Sequence, residues 1–249
     1  MNRLDAFAVI ADVHGNLPAL EAVAEDIARR GIDVVVNLGD HASGPLWPGE
    51  TVALLKQQTW VQIAGNCDRQ VVHQAPAEQG DSDRFAFEHL SAQQREWMAA
   101  LPATARVTDE ILAFHGTPSD DAAYLLESVE RGRIALARPA EIEERLTGVH
   151  AQVMLCGHSH LPRIVRIRDT LIVNPGSVGL PAYTHDRPEP HAVETGSPGA
   201  RYAILEKRER GWHAQLLAVP YDYVVAAERA KRNGRPDWEL ALRTGYATT

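Results

Sequence analysis

The sequence is poor in cysteine, in basic residues and in long apolar runs, and each shortage excludes a class of protein. Two cysteines in 249 residues, Cys67 and Cys156, are too few for a disulfide framework. No apolar run approaches the ~20 residues that cross a bilayer. Residues 1–11 carry neither the basic segment nor the cleavage pattern of a secretion signal. We therefore expect a soluble, cytoplasmic protein with no membrane partner.

The charge balance is acidic. The chain has 25 basic and 33 acidic residues, which gives a formal net charge of −8. Such a chain offers no broad basic surface to a phosphate backbone, so nucleic acid is not an expected partner, although a local site can hold a small nucleotide. The hydrophobic content of 45% is enough for a large core, and no polar linker divides the chain. We expect a single domain over residues 1–249, and the composition leaves oligomer formation open.

Short apolar runs alternate with helical patterns in the first third of the chain. Buried strands are predicted at Phe7–Ala11, Asp33–Leu38 and Trp60–Ala64. Helices are predicted between them, at Leu17–Arg30 and Gly49–Gln58. This order predicts parallel strand pairing with right-handed crossovers, and therefore an α/β fold.

The middle of the chain continues the mixture of helices and strands. A helix is predicted over Phe85–Ala100, and a hairpin is predicted from Ala105–Val107 and Ile111–Phe114. A helix at Glu141–Leu146 then precedes a buried strand at Gln152–Leu155. Alternating segments, which are typical of strands, follow at Arg163–Arg168, Leu171–Val173, Tyr202–Glu206 and Trp212–Val219.

Two later segments differ from this pattern. Residues 181–200 hold four prolines and two histidines, His185 and His191, and we expect an irregular insert there. Long loops of this kind are commonly lids, binding loops or disordered segments, and a lid over the site and a disordered surface loop are both left open. Residues 222–249 are predicted to form a helical tail with a break at Gly234–Pro236.

Side chains that bind metals recur directly after predicted strands, where open α/β sheets place their ligand crevice. They are Asp12 and His14, Asp40, Asn66, His115, and His158 and His160. Each alone has an ordinary explanation, such as a helix N-cap or a loop histidine. Five clusters in order, each at a strand end, indicate a metal site instead. Mixed carboxylate, imidazole and amide-oxygen ligands suit Mn²⁺, Fe²⁺, Zn²⁺ or Mg²⁺.

As an ordered set, these motifs resemble the calcineurin-like metallophosphoesterase superfamily. They are Asp12-x-His14, Gly39-Asp40, Gly65-Asn66-x-Asp68, His115-Gly116 and Gly157-His158-x-His160. The run from Asn174 to Val178, together with Cys67 at the variable position of the third motif, resembles the small bacterial and archaeal phosphodiesterase branch. The resemblance implies a four-layer αββα sandwich with two mixed β-sheets packed face to face.

The resemblance also implies a dinuclear metal centre. One cation would be held by Asp12, His14, Asp40 and His160, and the second by Asp40, Asn66, His115 and His158, so that Asp40 bridges the two. The implied activity is hydrolysis of a small phosphate ester by a water molecule that the two divalent cations activate. Mn²⁺ or Fe²⁺ is the expected metal, and Zn²⁺, Ni²⁺, Co²⁺ or Mg²⁺ would also be accepted.

Beyond the ligand roles, we expect the catalytic residues to include Asp40, His41, Asn66, Cys67 and Asp68. Many superfamily members carry His in place of Cys67, and that His is thought to protonate the leaving group. The Cys67 thiol is only a weak donor, which disfavours poor leaving groups. Asp68 is expected to orient a neighbour or backbone amides, or else to cap a helix. His41 is expected to touch the substrate, or else to lie exposed on a loop.

The expected function is hydrolysis of a small phosphodiester. A nucleotide pyrophosphatase or a phosphomonoesterase with the same dinuclear site is the alternative. A non-catalytic scaffold with this fold is a third reading, but all seven ligand positions hold competent residues, which argues against it. A DNA nuclease would use similar chemistry, and the acidic balance of the chain argues against that class.

Overall fold

The protein is built on two five-stranded β-sheets, and the computed structural model describes residues 4–247. In chain order, the strands are β1 (Ala6–Ile10), β2 (Val35–Asn37), β3 (Val61–Gln62), β4 (Thr104–Thr108), β5 (Ile111–Phe114), β6 (Glu127–Glu130), β7 (Arg133–Leu136), β8 (Val153–Leu155), β9 (Arg163–Ile167), β10 (Thr170–Asn174), β11 (Ala182–His185), β12 (His191–Glu194), β13 (Ala200–Arg208) and β14 (Gly211–Val219). The helices are α1 (Leu17–Arg29), α2 (Pro48–Lys56), α3 (Asn66–His73), α4 (Asp81–His89), α5 (Ala92–Ala99), α6 (Pro139–Arg145), α7 (Tyr223–Arg232) and α8 (Pro236–Thr244).

Both large sheets are mixed. The first has the strand order β14-β13-β1-β2-β3, in which β1, β2 and β3 are parallel and β13 is antiparallel to β1. The second has the order β4-β5-β8-β10-β9, in which β5, β8 and β10 are parallel. The parallel strands of each sheet are neighbours, so their carboxyl ends lie at one edge of that sheet and the loops that follow them can meet.

Successive side chains of each strand point to opposite faces of its sheet, and packing on both faces gives four layers. Phe7 and Val9 of β1 pack against Val153 and Leu155 of β8, so the inner faces of the two sheets share one core. The intervening residues of β1 face α1 in a second cluster. On the far side, β8 and β10 pack against Ile142 of α6. The order of layers is helix, sheet, sheet, helix, which confirms the predicted αββα sandwich.

The sequence predicted the strands and helices from β1 to β3, and the hairpin of β4 and β5, correctly. The prediction of a single helix over Phe85–Ala100 was wrong. That segment holds two helices, α4 and α5. The break comes at Leu90, whose backbone is extended (φ −94°, ψ 134°). Ser91 then begins α5 with a capping box, because its hydroxyl accepts from the Gln94 amide and the Gln94 side chain accepts from the Ser91 amide.

Two small hairpins were not predicted. The strands β6 and β7 are joined at Arg131 and Gly132, which both have positive φ (53° and 72°), as a tight two-residue hairpin turn requires. The expectation that residues 181–200 form an irregular insert was wrong, because β11 and β12 pair there in antiparallel register. The prolines of that segment lie outside the paired strands, which is why they do not prevent the pairing.

The tail folds back onto the body of the protein. Helices α7 and α8 are separated at Gly234–Pro236, as the sequence predicted, and Trp238 of α8 packs against Leu46 and Leu180. Residues 248–249 of the predicted tail lie outside the described residues. Within residues 4–247, no helix combines the length and apolar character needed to cross a bilayer.

Candidate metal centre

The seven predicted ligands come together on loops that follow the central strands. Those loops follow β1, β2, β3, β5 and β8, and they carry Asp12 and His14, Asp40, Asn66, His115, and His158 and His160, respectively. Six of these side chains are at most 8% exposed, and His158 is half-buried. The parallel order of the strands places all these loops at one edge of the sandwich.

Five of the seven ligand residues have an uncommon backbone conformation. Asp12, His14, Asp40, His158 and His160 have φ between 51° and 66°, in the left-handed region. Asp and His tolerate this region better than most residues, but each such position costs of order 1–3 kcal/mol. Hydrogen bonds between the loops hold the conformation: the amide of Asp12 donates to Gly39 O and that of His14 to Asp40 O, both at 2.9 Å. Backbone strain concentrated on the proposed ligands is typical of a functional site.

The first group of ligands is Asp12, His14 and His160. His160 Nε2 lies 3.5 Å from Asp12 Oδ1, and His14 Nε2 lies 3.1 Å from His160 Nε2. One ligand atom from each of the three residues falls within 4.8 Å of the others. These three side chains can therefore bind one cation.

The second group is Asp40, Asn66, His115 and His158. His115 Nε2 lies 3.4 Å from Asp40 Oδ2 and 3.1 Å from Asn66 Oδ1. His158 joins Asp40 and His115 within 4.8 Å. Asp40 Oδ2 is also 3.8 Å from His14 Nε2, so this carboxylate lies between the two groups.

Backbone carbonyls orient all four histidines. One ring nitrogen of each donates to a carbonyl oxygen: His14 Nδ1 to Ser43 at 2.8 Å, His115 Nδ1 to Leu38 at 2.7 Å, His160 Nδ1 to Leu180 at 2.8 Å and His158 Nε2 to Ala122 at 2.9 Å. Because that nitrogen carries the hydrogen, the other nitrogen of a neutral ring presents its lone pair to the centre. This fixed tautomer is the arrangement found around metal-binding histidines.

The donor set fits cations. Within residues 4–247, neither carboxylate oxygen of the fully buried Asp12 has a hydrogen-bond partner. The lone pairs of His14 Nε2 and His160 Nε2 also face each other across 3.1 Å. Buried negative charge and opposed lone pairs are both unfavourable without a positive charge between them. The site is therefore arranged for cations.

The electrostatics agree with this assignment. Burial lowers the pKa of His115, but the charge and hydrogen bond of Asp40, the charge of Asp12 and the Leu38 carbonyl together raise that pKa to about 10. Burial disfavours the charged form of Asp40 as well, yet the nearby histidines, His115 foremost, hold its pKa well below the usual range. Positive charge is thus stabilised at His115, whereas burial lowers the pKa of His14 and lowers that of His158 to about 4, so these two rings stay neutral and can bind a cation.

Asp68 fixes the loops around Asp40. Its Oδ2 accepts from the amides of Asp40 and Gly65 at 2.8 and 2.9 Å and from His41 Nδ1 at 2.7 Å, while Oδ1 accepts from the His41 amide at 2.9 Å. Asp68 is 1% exposed. It therefore does both things expected of it, since it orients the backbone beside Asp40 and caps the start of α3.

His41 is neither exposed nor in reach of a substrate, which corrects both expectations for it. The ring is 0% exposed and lies between Asp68 and Trp97, with the Trp97 ring centroid at 5.6 Å. Its Nε2 has no hydrogen-bond partner within the described part of the chain. His41 therefore stabilises the loop that follows β2 through its contacts with Asp68 and Trp97.

Cys67 lies at the site but is a poor acid. Its amide donates to Asp40 Oδ1 at 2.9 Å, and its thiol is 3.5 Å from the Asn66 amide nitrogen. Burial, with the charges of Asp40 and Asp83, raises the pKa of the Cys67 thiol well above its usual range. The second cysteine, Cys156, is a buried core residue.

Two cavities meet at the metal centre. The first, of about 460 Å³, is lined by His14, Asp40 and His160, and the second is about 1040 Å³. Asn66 and His158 line both cavities. A group bound at the centre therefore has space on two sides.

The walls of these cavities include residues that the sequence analysis missed. Tyr183 of β11 donates to His158 O at 3.2 Å, and its hydroxyl lies 2.9 Å from that of Tyr124. Trp238 of α8 packs edge-on against His14, with ring centroids 6.0 Å apart. Their contacts join positions far apart in the chain and follow no motif, so only the aromatic character of the side chains offered a signal.

The comparisons with known proteins agree with this geometry. A family model described as the calcineurin-like phosphoesterase superfamily domain matches residues 6–195. The match covers well over half of the chain, and the chain belongs to this superfamily. Membership indicates hydrolysis of a phosphate ester and the binding of divalent metals by side-chain groups such as those described above.

Several individual proteins are similar over nearly the whole chain. The uncharacterized protein MJ0912 of Methanocaldococcus jannaschii is 27% identical over 251 residues, which covers 93% of this chain and 94% of that one. A metallophosphoesterase from Sphaerobacter thermophilus has 21% identity and a TM-score of 0.73, with 96% of this chain and 98% of that one covered. Hypothetical protein PH1004 from Pyrococcus horikoshii OT3 has 19% identity, the same TM-score and the same coverages. These two likenesses establish the fold.

Proposed function

We propose that this protein is a two-metal phosphodiesterase that acts on a small substrate. The observation that carries the proposal is the position of Asp40, whose Oδ2 lies 3.8 Å from His14 Nε2 and 3.4 Å from His115 Nε2. This one carboxylate oxygen thus lies within 4 Å of a ligand nitrogen in each of the two groups. Two cations that share such a group are suited to in-line displacement at phosphorus.

Each residue has a defined part in this proposal. Asp12, His14, Asp40 and His160 would hold one cation, and Asp40, Asn66, His115 and His158 would hold the other. When bound, the pair lowers the pKa of water toward neutrality and offsets charge on the phosphoryl oxygens. Asn66 contributes a neutral oxygen, which limits the negative charge facing an anionic substrate. Oxygen and imidazole donors suit Mn²⁺ or Fe²⁺ best, and Zn²⁺, Ni²⁺, Co²⁺ and Mg²⁺ are also compatible.

The two cavities favour a diester over a monoester. A phosphodiester has a substituent on each side of phosphorus, and Asn66 and His158 lie where the two spaces join. The second cavity is lined by Glu78, Glu127, Glu130 and Glu141, and its acidic residues outnumber the two arginines there, Arg145 and Arg187. Such a lining repels further phosphates, which supports a small substrate of low charge rather than a nucleic acid.

The proposed setting is the cytoplasm. Cys67 and Cys156 are both free, and Cys67 lines the first cavity. A free thiol beside a functional site is compatible with a reducing compartment.

A metal-supplemented hydrolysis screen tests the proposed activity. We expect the purified protein, loaded with Mn²⁺, to hydrolyse bis-p-nitrophenyl phosphate faster than p-nitrophenyl phosphate, because the diester uses both cavities. The measurement is kcat/KM for each substrate and for a dinucleoside polyphosphate, with and without chelator. A preference for the monoester or the polyphosphate would replace the diesterase with a phosphomonoesterase or a pyrophosphatase. Inactivity with all six metals would reject the enzyme.

A further inference from the structure

Asp83 is a buried carboxyl group that faces the space where the two cavities meet. It lies in the first turn of α4, is 8% exposed and lines both cavities. Its Oδ1 accepts from the Ser43 hydroxyl at 2.6 Å. The hydrogen bond with Ser43 uses Oδ1 and leaves Oδ2 to meet a ligand in the cavity.

Asp83 lies close to the metal centre without contacting a ligand side chain. Its partner Ser43 accepts from His14 Nδ1 at 2.8 Å through the backbone carbonyl. Cys67, which follows the ligand Asn66, lines the first cavity together with Asp83. Asp83 therefore borders the space from which a leaving group would depart, on the side occupied by Cys67.

Resting on the function proposed above, we propose that Asp83 is the catalytic acid that protonates the leaving oxygen of the phosphodiester. A water molecule attacks phosphorus and gives up one proton to solvent, and a new P–O bond forms as the bond to the leaving group breaks. The electron pair of the broken bond goes to the leaving oxygen, which takes the proton from Asp83 Oδ2. Asp83 becomes a carboxylate that accepts its hydrogen bond from Ser43, and it regains a proton from water before the next turnover.

The surroundings keep this carboxyl protonated more readily than an ordinary one. Burial raises the pKa of Asp83 to about 6; the hydrogen bond from Ser43 acts against this rise, and the charges of Asp40 and Asp68 add to it. On the neighbouring tail, Arg235 donates to the Ser82 hydroxyl at 2.8 Å and is itself paired with Asp237. An acid whose pKa lies near neutral pH is well suited to transfer a proton at the pH where the enzyme works.

The leaving-group dependence of Asp83→Asn tests the proposal. Methyl p-nitrophenyl phosphate and methyl phenyl phosphate differ only in the basicity of the phenolate released. With the Mn²⁺-loaded enzyme, we expect kcat for the phenyl ester to fall by about 10²–10⁴-fold in Asp83→Asn, and kcat for the p-nitrophenyl ester to fall by less than about tenfold. The Asn side chain keeps the hydrogen bond from Ser43, and metal content is measured for both proteins.

The matched control is Glu88→Gln, which makes the same carboxyl-to-amide change on α4. The Glu88 side chain is exposed and lines neither cavity, so both rates should stay near those of the wild type. An equal loss on both esters in Asp83→Asn, or a loss confined to KM, would overturn the proposal and would assign Asp83 to substrate binding. Wild-type inactivity on both esters would reject the proposed function and this role together, whereas wild-type activity with an unchanged ratio in Asp83→Asn would reject this role alone.

The pH dependence supplies a second measurement. Since the acid must be protonated, kcat for the phenyl ester should fall as pH rises through the pKa of Asp83. This falling limb of the pH–rate profile should be missing in Asp83→Asn. Ser43→Ala removes the hydrogen bond that favours the carboxylate, so it should move the limb to higher pH. Carbon-13 labelled aspartate in the Zn²⁺-loaded protein should show one carboxyl titrating well above pH 4 that is absent from Asp83→Asn. If that carboxyl titrates at or below pH 4, Asp83 is not the acid.

Discussion

Asp40→Asn is expected to lower kcat/KM on any phosphodiester that the wild type cleaves by about 10³-fold or more, because it removes several kcal/mol of charge stabilisation. The Asp40 carboxylate is the group that lies within 4 Å of ligand nitrogens on both His14 and His115. An amide has one neutral oxygen, and its NH₂ group would face these cation-binding atoms. The substitution should therefore lower both metal content and rate.

The matched control for this variant is Asp33→Asn. Asp33 is exposed and lies near the start of β2, whereas Asp40 follows the end of the same strand. The comparison is kcat/KM together with metal content per chain, after circular dichroism has shown that both variants are folded. If Asp40→Asn keeps more than a tenth of the wild-type kcat/KM, Asp40 is not the bridging group.

Gly65→Ala should disrupt the centre by steric collision alone. A Cβ atom at Gly65 would lie 2.2 Å from Asp40 Oδ1, 2.7 Å from the Asp40 amide nitrogen and 2.8 Å from His115 Cε1. The Cys67 amide holds Asp40 Oδ1 at 2.9 Å and the Leu38 carbonyl holds the His115 ring at 2.7 Å, so these atoms cannot swing aside freely and the loops must move apart. We expect a loss of about 3 kcal/mol in the free energy of unfolding, a fall in Tm of about 6–12 °C, and a metal affinity at least about tenfold weaker.

Gly80→Ala isolates that effect. Both glycines precede a helix with an extended backbone, at φ −95° for Gly65 and φ −64° for Gly80. A Cβ at Gly80 meets nothing within 4 Å, so its free energy of unfolding should change by less than about 1 kcal/mol. Denaturant unfolding in the presence of chelator compares the two without the contribution of metal. Equal destabilisation by both substitutions would mean that helix capping, and not the collision with Asp40, sets the result.

The proposed ligand residues could be picked out from the sequence because each follows a predicted strand. Asp12, Asp40 and His158 each come directly after a short apolar run, and parallel strands place such positions at one edge. The order of the motifs then indicated the family and, through it, the four-layer sandwich. The left-handed backbone at these residues was not predicted, because Asp and His do not reveal a positive φ as glycine does.

Other parts of the site depend on contacts that no local pattern encodes. His41 was expected on a surface or in a cavity, yet Asp68 and Trp97 enclose it. In the sequence, Asp83 looks like an ordinary acidic residue in the first turn of a helix. Its burial beside Ser43 appears only in the folded structure. The pairing of β11 with β12 was missed because prolines near a strand suggest a loop more strongly than a short hairpin.

Anomalous diffraction from a crystal of the Mn²⁺-loaded protein tests the dinuclear centre most directly. We expect two peaks roughly 3.5–4 Å apart, one among Asp12, His14 and His160 and the other among Asn66, His115 and His158, with Asp40 contacting both. A single peak at full loading, or peaks that Asp40 does not join, would contradict the dinuclear centre.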